Sequence, residues 1–598
     1  MLRKTLLASA VAVAAITLAA CGGGSNSVAA SPTVPGTNYT AARAFPTATP
    51  IKHLVVIYQQ NVSFDHYFAT YPNAANPVGE PAFSAKANTP KADTLENANL
   101  LTTNPNMSNP LNLQLTGAGG GAPFRLDRTQ AATADQVHAY AAEQKAYNDG
   151  KMDSFPYYTG IETPGGVGAF GTPGQVMGYF DGNTTTALWN YAQNFSMSDD
   201  AFMSSYGPST PGAFDVIGAS YNGAVLVKST VGPFTLPSEP PSASNTAKSA
   251  WYSYYIKDGQ GGYSIINDVD PAYDPCSSQT NQIMMTGKNI GDLLNEGNIS
   301  WGGFMGGFDL TETNPNGSTN CKRSTFSQVV NSTISDYIPH HNWFQYFKST
   351  SNPTHARPSS VQAIGHSVEV DGKTPEPANH EYGLHDFFDA VKAGNYPAVA
   401  YLNASGFEDG HAGYSDPLDE QMFVAKVVNF LEQQPQWKDT AVVVTWDDSD
   451  GWYDHAYHAP TSYSYDPQAD QVNGPGQCGP AGGTASVGIN GKPVNGQCGP
   501  GTRLPFLVIS PWAKPNYVSH TFITQAAVVQ FIEDNWLGGK RIGPGAWDTK
   551  TGSMMDMFDF SGAGKTPTLY LDPASGEPLE NPPSGSNSPT FTQAATTS

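Results

Sequence analysis

Residues 53–58, HLVVIY, form an unbroken apolar run that is rich in β-branched side chains and leads directly into Gln59-Gln60-Asn61. A short run without polar alternation is typical of a strand that is buried on both faces of a sheet. Four further runs have this character, at residues 299–305, 398–402, 441–446 and 504–509. Helical patterns that begin at Asp416-Pro417 and near Thr524 separate some of them. We therefore predict an α/β protein with one large domain over residues 50–575, built on a mainly parallel central sheet flanked by helices.

Polar side chains follow three of the predicted strands where each strand ends. Gln60-Asn61 follows the first run, Asn403 follows residues 398–402, and Asp447-Asp448 follows residues 441–446. Ligands of open α/β sheets bind beyond the carboxyl ends of the strands. Because carboxylates that leave a buried strand are costly without a cationic partner, a divalent metal ion at this edge is one interpretation. A solvated loop or a helix cap is the other.

The composition excludes several classes of function. The 598 residues carry a formal net charge of −22, and only 13% of them are charged. This balance argues against nucleic-acid binding, which needs an excess of Lys and Arg to neutralise phosphates. Aromatic residues make up 11% of the chain, which is enough for a sizeable core. No apolar run reaches the roughly 20 residues of a membrane-spanning helix.

The N-terminus has the pattern of an export signal. Arg3 and Lys4 precede an apolar stretch up to residue 20, and Leu18-Ala19-Ala20-Cys21-Gly22 resembles a bacterial lipobox. We predict a lipoprotein signal peptide over residues 1–20, lipid modification at Cys21, and a flexible Gly/Ser/Pro tether over residues 21–49. The protein would then be exported and either lipid-anchored to the bacterial outer membrane or periplasmic, touching a membrane only through this lipid. An ordinary secretory signal, with no role for Cys21, is the alternative.

Four cysteines remain after Cys21, and an even number in an oxidising compartment suggests two disulfides. Of three pairings, the short-loop choice joins Cys276 to Cys321 and Cys478 to Cys498. A zinc site made of all four is the alternative, but no C-x2-C spacing supports it. Residues 576–598 form a polar C-terminal tail.

Five blocks of the sequence together resemble the bacterial phosphoesterase family, which contains non-haemolytic phospholipases C and periplasmic acid phosphatases. They occur in family order at residues 51–68, 206–212, 337–344, 409–416 and 446–455. The resemblance implies a fold similar to that of alkaline phosphatase and the sulfatases. It also implies a hydroxyl nucleophile that attacks phosphorus with the support of a metal ion.

Transferred by motif, the resemblance assigns a nucleophile and one divalent metal ion of unknown identity. Ser209, within Tyr206-Gly207-Pro208-Ser209-Thr210-Pro211-Gly212, would be the nucleophile, with Thr210 as the rival hydroxyl. The implied metal ligands all donate oxygen, which suits a hard or borderline ion. They are Gln60, Asn61, Ser209, Asp447 and Asp448. The family usually has Glu where this chain has Gln60, and the lost charge should weaken metal binding.

Four histidines complete the implied catalytic set: His138, His340, His341 and His411. Transfer of a phosphoryl group needs donors for the phosphate oxygens and an acid for the leaving group. Imidazolium can serve as both in mildly acidic conditions.

These assignments predict an acid phosphatase that acts on small phosphate esters through a phosphoserine intermediate. Val62 favours the acid-phosphatase branch, because phospholipase C members typically have Arg at this position. A phospholipase C acting on phosphatidylcholine-type headgroups is the alternative, and the aromatic residues 251–255 could form a choline box. A third hypothesis follows from Gln60: a surface lipoprotein that keeps the fold and binds ligands while its catalysis has weakened.

Overall fold

A computed structural model describes residues 46–117, 120–228, 255–562 and 568–591 of the chain. The predicted signal peptide, Cys21 and residues 21–45 of the predicted tether lie outside the described residues. The same holds for most of the aromatic cluster at 251–255. The part of the predicted tail that is described packs on the domain, because Phe591 stacks on Phe388 with ring centroids 5.1 Å apart.

An eight-stranded sheet forms the centre of the fold. In chain order the strands are β1 (His53–Gln59), β2 (Ser196–Ser198), β3 (Trp301–Met305), β4 (Glu381–Gly383), β5 (Val399–Asn403), β6 (Thr440–Trp446), β7 (Phe506–Ile509) and β8 (Tyr517–Ser519). Their order across the sheet is β4-β3-β5-β1-β6-β7-β2-β8. All neighbouring pairs are parallel except the two that involve β7, which runs antiparallel to β6 and to β2. The predicted mainly parallel sheet of an α/β protein is therefore confirmed.

The five apolar runs of the sequence correspond to β1, β3, β5, β6 and β7. The other three strands of the sheet have only three residues each and stand at or near its edges, so they carry too little pattern to be predicted. The single antiparallel strand, β7, was also beyond prediction, because periodicity says nothing about strand direction.

Ten α-helices lie in the described part of the chain, and none of them is long and apolar enough to cross a membrane. They are α1 (Phe64–Phe68), α2 (Pro110–Thr116), α3 (Tyr140–Tyr147), α4 (Phe155–Tyr158), α5 (Thr186–Asn194), α6 (Ser209–Val216), α7 (Ile290–Gly297), α8 (Leu384–Lys392), α9 (Pro417–Glu432) and α10 (Ala527–Trp536). The two helical patterns of the sequence are α9 and α10. Asp416 caps α9, since its side chain accepts from the N–H groups of Leu418 and Asp419.

A smaller five-stranded sheet lies outside the central one and is mostly antiparallel. In spatial order its strands are Asp270–Pro271, Gln282–Met285, Asn222–Lys228, Tyr263–Ile265 and Tyr255–Lys257. Disulfides join Cys276 to Cys321 and Cys478 to Cys498, the two pairs that the sequence favoured.

The register of β1 and β6 brings the polar segments that follow them together. Gln59 pairs with Trp446 at the last position of both strands, and the N–H of Asp447 donates to the carbonyl of Gln59 over 3.0 Å. All seven side chains of β6 are buried. Gln60-Asn61 and Asp447-Asp448 thus follow the two strands side by side at the same edge of the sheet, and all four residues are buried.

Candidate active site

Asn61 lies at the point where the two polar segments meet. Its backbone N–H donates to Asp447 Oδ1 over 2.8 Å, and the N–H of Val62 donates to the Asp448 carbonyl over 2.8 Å. Asn61 has a φ of 61°, in the left-handed region that asparagine tolerates better than most residues. This backbone turn aims the amide N–H at the carboxylate, while the side chain faces Ser209.

Ser209 is the first residue of α6 and is buried. Its Oγ lies 3.2 Å from Asp448 Oδ2 and 3.4 Å from Asn61 Oδ1. Gly212 allows helix α6 to come this close, because a Cβ there would stand 2.3 Å from the Asp447 carbonyl oxygen. Thr210, the rival hydroxyl, faces elsewhere: its Oγ1 accepts from the N–H of Val269 over 3.2 Å and lies 3.3 Å from the Tyr346 hydroxyl.

Gln60 is fully buried, and its backbone N–H donates to the Asp409 carbonyl over 2.9 Å. Both polar atoms of its side chain lack a hydrogen-bond partner among the described residues. An unpaired buried amide costs free energy, and a cation could satisfy its carbonyl oxygen. Together with the oxygens of Asn61, Ser209, Asp447 and Asp448, this donor set fits a divalent metal ion.

Burial of the two carboxyl groups supports the same interpretation. Burial raises the pKa of Asp447 to about 7. It also raises the pKa of Asp448 well above its usual value, and the neighbouring Asp447 adds to this shift. Two adjacent carboxylates away from water repel each other, so a cation would stabilise their ionised forms.

The four histidines form a chain of neighbouring rings that runs from His340 through His341 and His411 to His138. The ring centroids along it are 4.6, 6.2 and 5.8 Å apart. His138 ends the chain beside the metal-ligand candidates, with its Nδ1 3.2 Å from Asp450 Oδ1. Asn61 Nδ2 donates to the same Asp450 oxygen over 3.4 Å. The structure therefore brings the predicted nucleophile, the predicted metal ligands and the four predicted histidines into one neighbourhood.

Local charges divide these histidines into two kinds. Burial lowers the pKa of His138, but Asp448 and Asp450 outweigh it and raise the pKa well above the usual value. At His340 burial acts in the same way, and Asp268 and Asp270 raise the pKa.

The surroundings of the other two histidines favour the neutral form. Burial and the neighbouring His340 lower the pKa of His341 well below the usual value. Burial and His138 lower the pKa of His411 to about 3. Protons that are available for chemistry are therefore held at the two ends of the chain of rings.

Two acidic residues of the site were missed by sequence reasoning. Asp450 forms the ion pair with His138, and His138, His411 and Asp450 also place one ligand atom each within 4.8 Å of one another. Glu143 lies on α3, five residues after His138, and accepts hydrogen bonds from Gly207 and Ser449. Asp450 stands inside the block at residues 446–455, and Glu143 opens a further stretch, residues 143–153, that also resembles the family.

Two further histidines, His455 and His458, make their contacts outside this cluster of side chains. Nδ1 of His455 is 2.6 Å from Asp65 Oδ2, and its Nε2 is 3.1 Å from Asp93. His458 stacks on Phe522 with ring centroids 4.1 Å apart.

Two bacterial phospholipases C align with about four fifths of the chain. A non-hemolytic phospholipase C of Burkholderia pseudomallei is 22% identical over 501 residues, which cover 82% of this chain and 56% of that protein. Phospholipase C A of Mycobacterium tuberculosis is 22% identical over 491 residues, or 79% of this chain and 71% of that one. The chain thus spans little more than half the length of the Burkholderia protein.

A further alignment is shorter but has a higher sequence identity. A non-hemolytic phospholipase C of Pseudomonas aeruginosa is 30% identical over 152 residues, which cover 24% of this chain and 21% of that protein. The model of the Phosphoesterase family matches residues 51–537, a span that contains every residue of the candidate site described above. The chain therefore belongs to the phosphoesterase family.

Proposed function

We propose that this protein is a metal-dependent acid phosphatase that hydrolyses phosphoric esters through a phosphoserine intermediate. One observation carries the proposal: the buried Ser209 Oγ lies within 3.4 Å of Asn61 Oδ1 and Asp448 Oδ2, among the oxygen donors of the candidate metal site. A serine hydroxyl is a weak nucleophile at neutral pH unless a base or a cation activates it. When bound, the divalent ion would lower the pKa of this hydroxyl and polarise the phosphoryl group.

In the first step, the Ser209 oxygen forms a bond to phosphorus while the bond from phosphorus to the ester oxygen breaks. The serine proton leaves toward Asp448 Oδ2, the acceptor of its hydrogen bond. Helix α6 and Gly212 fix the direction of attack, since the serine is the first residue of a helix that contacts the loop of Asp447. Such positioning accounts for a large part of the acceleration in phosphoryl transfer.

The two histidines with raised pKa suit the two proton-donating roles of this step, which are to bind a phosphate oxygen and to protonate the leaving alcohol. His138 is buried beside Asp450 and can donate to a phosphate oxygen. The His340 side chain is 29% exposed, so it can protonate a departing alcohol that leaves toward solvent. In the second step, water gives a proton to His340 and attacks phosphorus, the bond to the serine oxygen breaks, and phosphate is released as serine takes back its proton from Asp448.

A phospholipase C activity is the second candidate, and the negative charge beside Thr210 and His340 favours it. Asp268 accepts from the N–H of Thr210 over 2.9 Å, and Asp270 lies 3.4 Å from His340. These carboxylates repel the dianion of a phosphate monoester and attract a cationic group such as the quaternary ammonium of a choline diester. The aligned relatives that are named phospholipase C are consistent with this candidate.

The two candidates are separated by the ratio of kcat/KM for p-nitrophenyl phosphate to that for p-nitrophenyl phosphorylcholine. We expect a ratio well above one in the wild-type protein. A second comparison uses Asp268→Asn with Asp270→Asn, which should raise the ratio further because monoester repulsion is removed. Dominant turnover of the choline diester by the wild type would replace the phosphatase proposal with the phospholipase one, and absence of turnover on both esters would reject both.

A further inference from the structure

Glu143 bridges the two loops that carry the reacting groups. It lies on α3 and is only 1% exposed. Its Oε2 accepts from the N–H of Gly207 over 2.8 Å, and its Oε1 accepts from the Ser449 hydroxyl over 2.9 Å. Each carboxylate oxygen thus holds a different loop.

Both of these contacts are adjacent to residues of the candidate site. Gly207 precedes Ser209 by two residues, and Ser449 directly follows Asp448. Gly207 has a φ of 113°, and a Cβ there would stand 2.8 Å from the Ile266 carbonyl oxygen, so the turn depends on glycine. The hydrogen bond to Glu143 therefore orients the chain just before the nucleophile, next to the N–H of Tyr206, which donates to the Cys498 carbonyl over 3.2 Å.

Burial of the Glu143 carboxyl group costs free energy, so stability alone does not explain why this residue joins the two loops. Burial raises its pKa to about 7, and the two hydrogen bonds and His138 offset only part of that effect. No described Lys or Arg side chain forms a salt bridge with it. Residues with no ionisable group could pack in this environment at lower cost.

We infer that Glu143 is a positioning residue that sets the distance between the Ser209 hydroxyl and Asp448, and this inference rests on the proposed function. Through Glu143, the turn at Gly207 that precedes Ser209 and the loop at Ser449 that follows Asp448 are both joined to helix α3. A displacement of about 1 Å at such a position can lower turnover roughly 100-fold.

Two substitutions separate geometry from charge. Glu143→Gln keeps both connections, because the amide oxygen can accept from Gly207 while the amide N–H₂ donates to the Ser449 oxygen. Glu143→Ala removes both. The matched control is Gln144→Ala, since the neighbouring Gln144 is equally buried and its Oε1 accepts from the backbone N–H groups of Gln471 and Val472, at 2.8 and 3.3 Å.

We expect Glu143→Ala to lower kcat for p-nitrophenyl phosphate about 100-fold with little change in KM. Glu143→Gln should stay within about tenfold of the wild type. Gln144→Ala should lower the melting temperature about as much as Glu143→Ala does, but it should leave kcat unchanged. If Glu143→Ala fails to fold, Ser449→Ala removes half of the bridge and should lower kcat about tenfold.

Crystal structures of the variants give a readout without turnover. In Glu143→Ala the Ser209 Oγ should move out of reach of Asp448 Oδ2, and in Glu143→Gln it should stay. An inactive wild type would reject the proposed function, and the displacement of Ser209 would then decide this inference by itself. An undisplaced Ser209, or an equal loss of kcat in Gln144→Ala, would overturn it.

Discussion

The backbone N–H of Asn61 donates to Asp447 Oδ1 over 2.8 Å, although 386 positions of sequence separate the two residues. The contact exists because β1 and β6 are parallel neighbours that end at the same level, with Gln59 opposite Trp446. It places an amide side chain, two carboxylates and a serine hydroxyl within reach of one another. The predictions below follow from this arrangement and from the buried charges that support it.

Replacing Ser209 with alanine should abolish turnover and leave the fold intact. Only the Oγ is lost, and its single proton faces two acceptor oxygens at the long distances of 3.2 and 3.4 Å. We expect kcat to fall by at least about 10³-fold, as for loss of a nucleophile, while the four remaining ligand candidates, two of them carboxylates, retain most of the metal ion. Thr210→Val is the matched control and should keep most of the activity. Near-normal turnover of Ser209→Ala would point instead to Thr210 or to direct attack by water.

The double substitution Asp447→Asn with Asp448→Asn should remove the metal ion. Two negative charges are lost while the shape is kept, so a divalent ion loses its main electrostatic attraction. Elemental analysis of protein purified without chelators should give about one ion per chain for the wild type and close to none for the variant. Asp470→Asn is the control, since Asp470 is equally buried but accepts from the Tyr140 hydroxyl. Full occupancy in the double variant would mean that the metal site lies elsewhere.

Gln60→Glu should increase the affinity for the metal ion. The substitution adds one negative charge at a buried position whose side chain has no hydrogen-bond partner among the described residues. We expect the dissociation constant, measured by calorimetry, to fall by roughly tenfold or more. If both forms bind metal and neither releases phosphate from esters, the protein keeps the fold and binds ligands without catalysing ester hydrolysis. An unchanged affinity would exclude Gln60 as a ligand.

Arg503 should be essential for stability, because it neutralises buried carboxylates next to the site. Its guanidinium is fully buried and lies 3.1 Å from Asp454 and 3.3 Å from Asp65. Arg503→Met removes the salt bridge of the buried Asp454, whereas Asp65 keeps its contact with His455. The variant should lower the free energy of unfolding by about 3–5 kcal/mol, measured by urea denaturation. Arg503→Lys keeps the charge and should lose less. A loss below about 1 kcal/mol in the methionine variant would contradict this view.

Glu432 should make stability fall as pH rises. Burial raises its folded pKa to about 8, while its unfolded value stays near 4.5. Between these values the native state holds a proton that the unfolded state has released. The free energy of unfolding therefore decreases with pH across this window, by at most about 1.4 kcal/mol per pH unit.

Glu432→Gln removes that titration, and its amide oxygen can still accept from the N–H of Leu569. Relative to the wild type, the variant should gain stability steadily from about pH 5 to pH 8. Denaturation curves at four pH values measure the difference. Parallel pH profiles of the two proteins would show that Glu432 is ionised in the fold.

The sequence predicted the long elements and the chemistry at their ends. Apolar runs without polar alternation located β1, β3, β5, β6 and β7, and spacing together with a cap located α9. It also favoured the two disulfide pairs that the structure contains. It missed the short edge strands, whose pairing depends on distant segments. It also missed the roles of Asp450 and Glu143, because a carboxylate shows no local sign of what it contacts.

The sequence by itself determined which residue types leave the strands and in what order, since apolar patterning and turn-forming residues act over a few positions. The tertiary structure alone decided that Ser209 faces Asp448, that Thr210 does not face it, and which histidines carry protons. The physical reason is that both hydrogen-bond geometry and pKa depend on neighbours in space. In this fold those neighbours come from parallel strands and loops that are hundreds of residues apart.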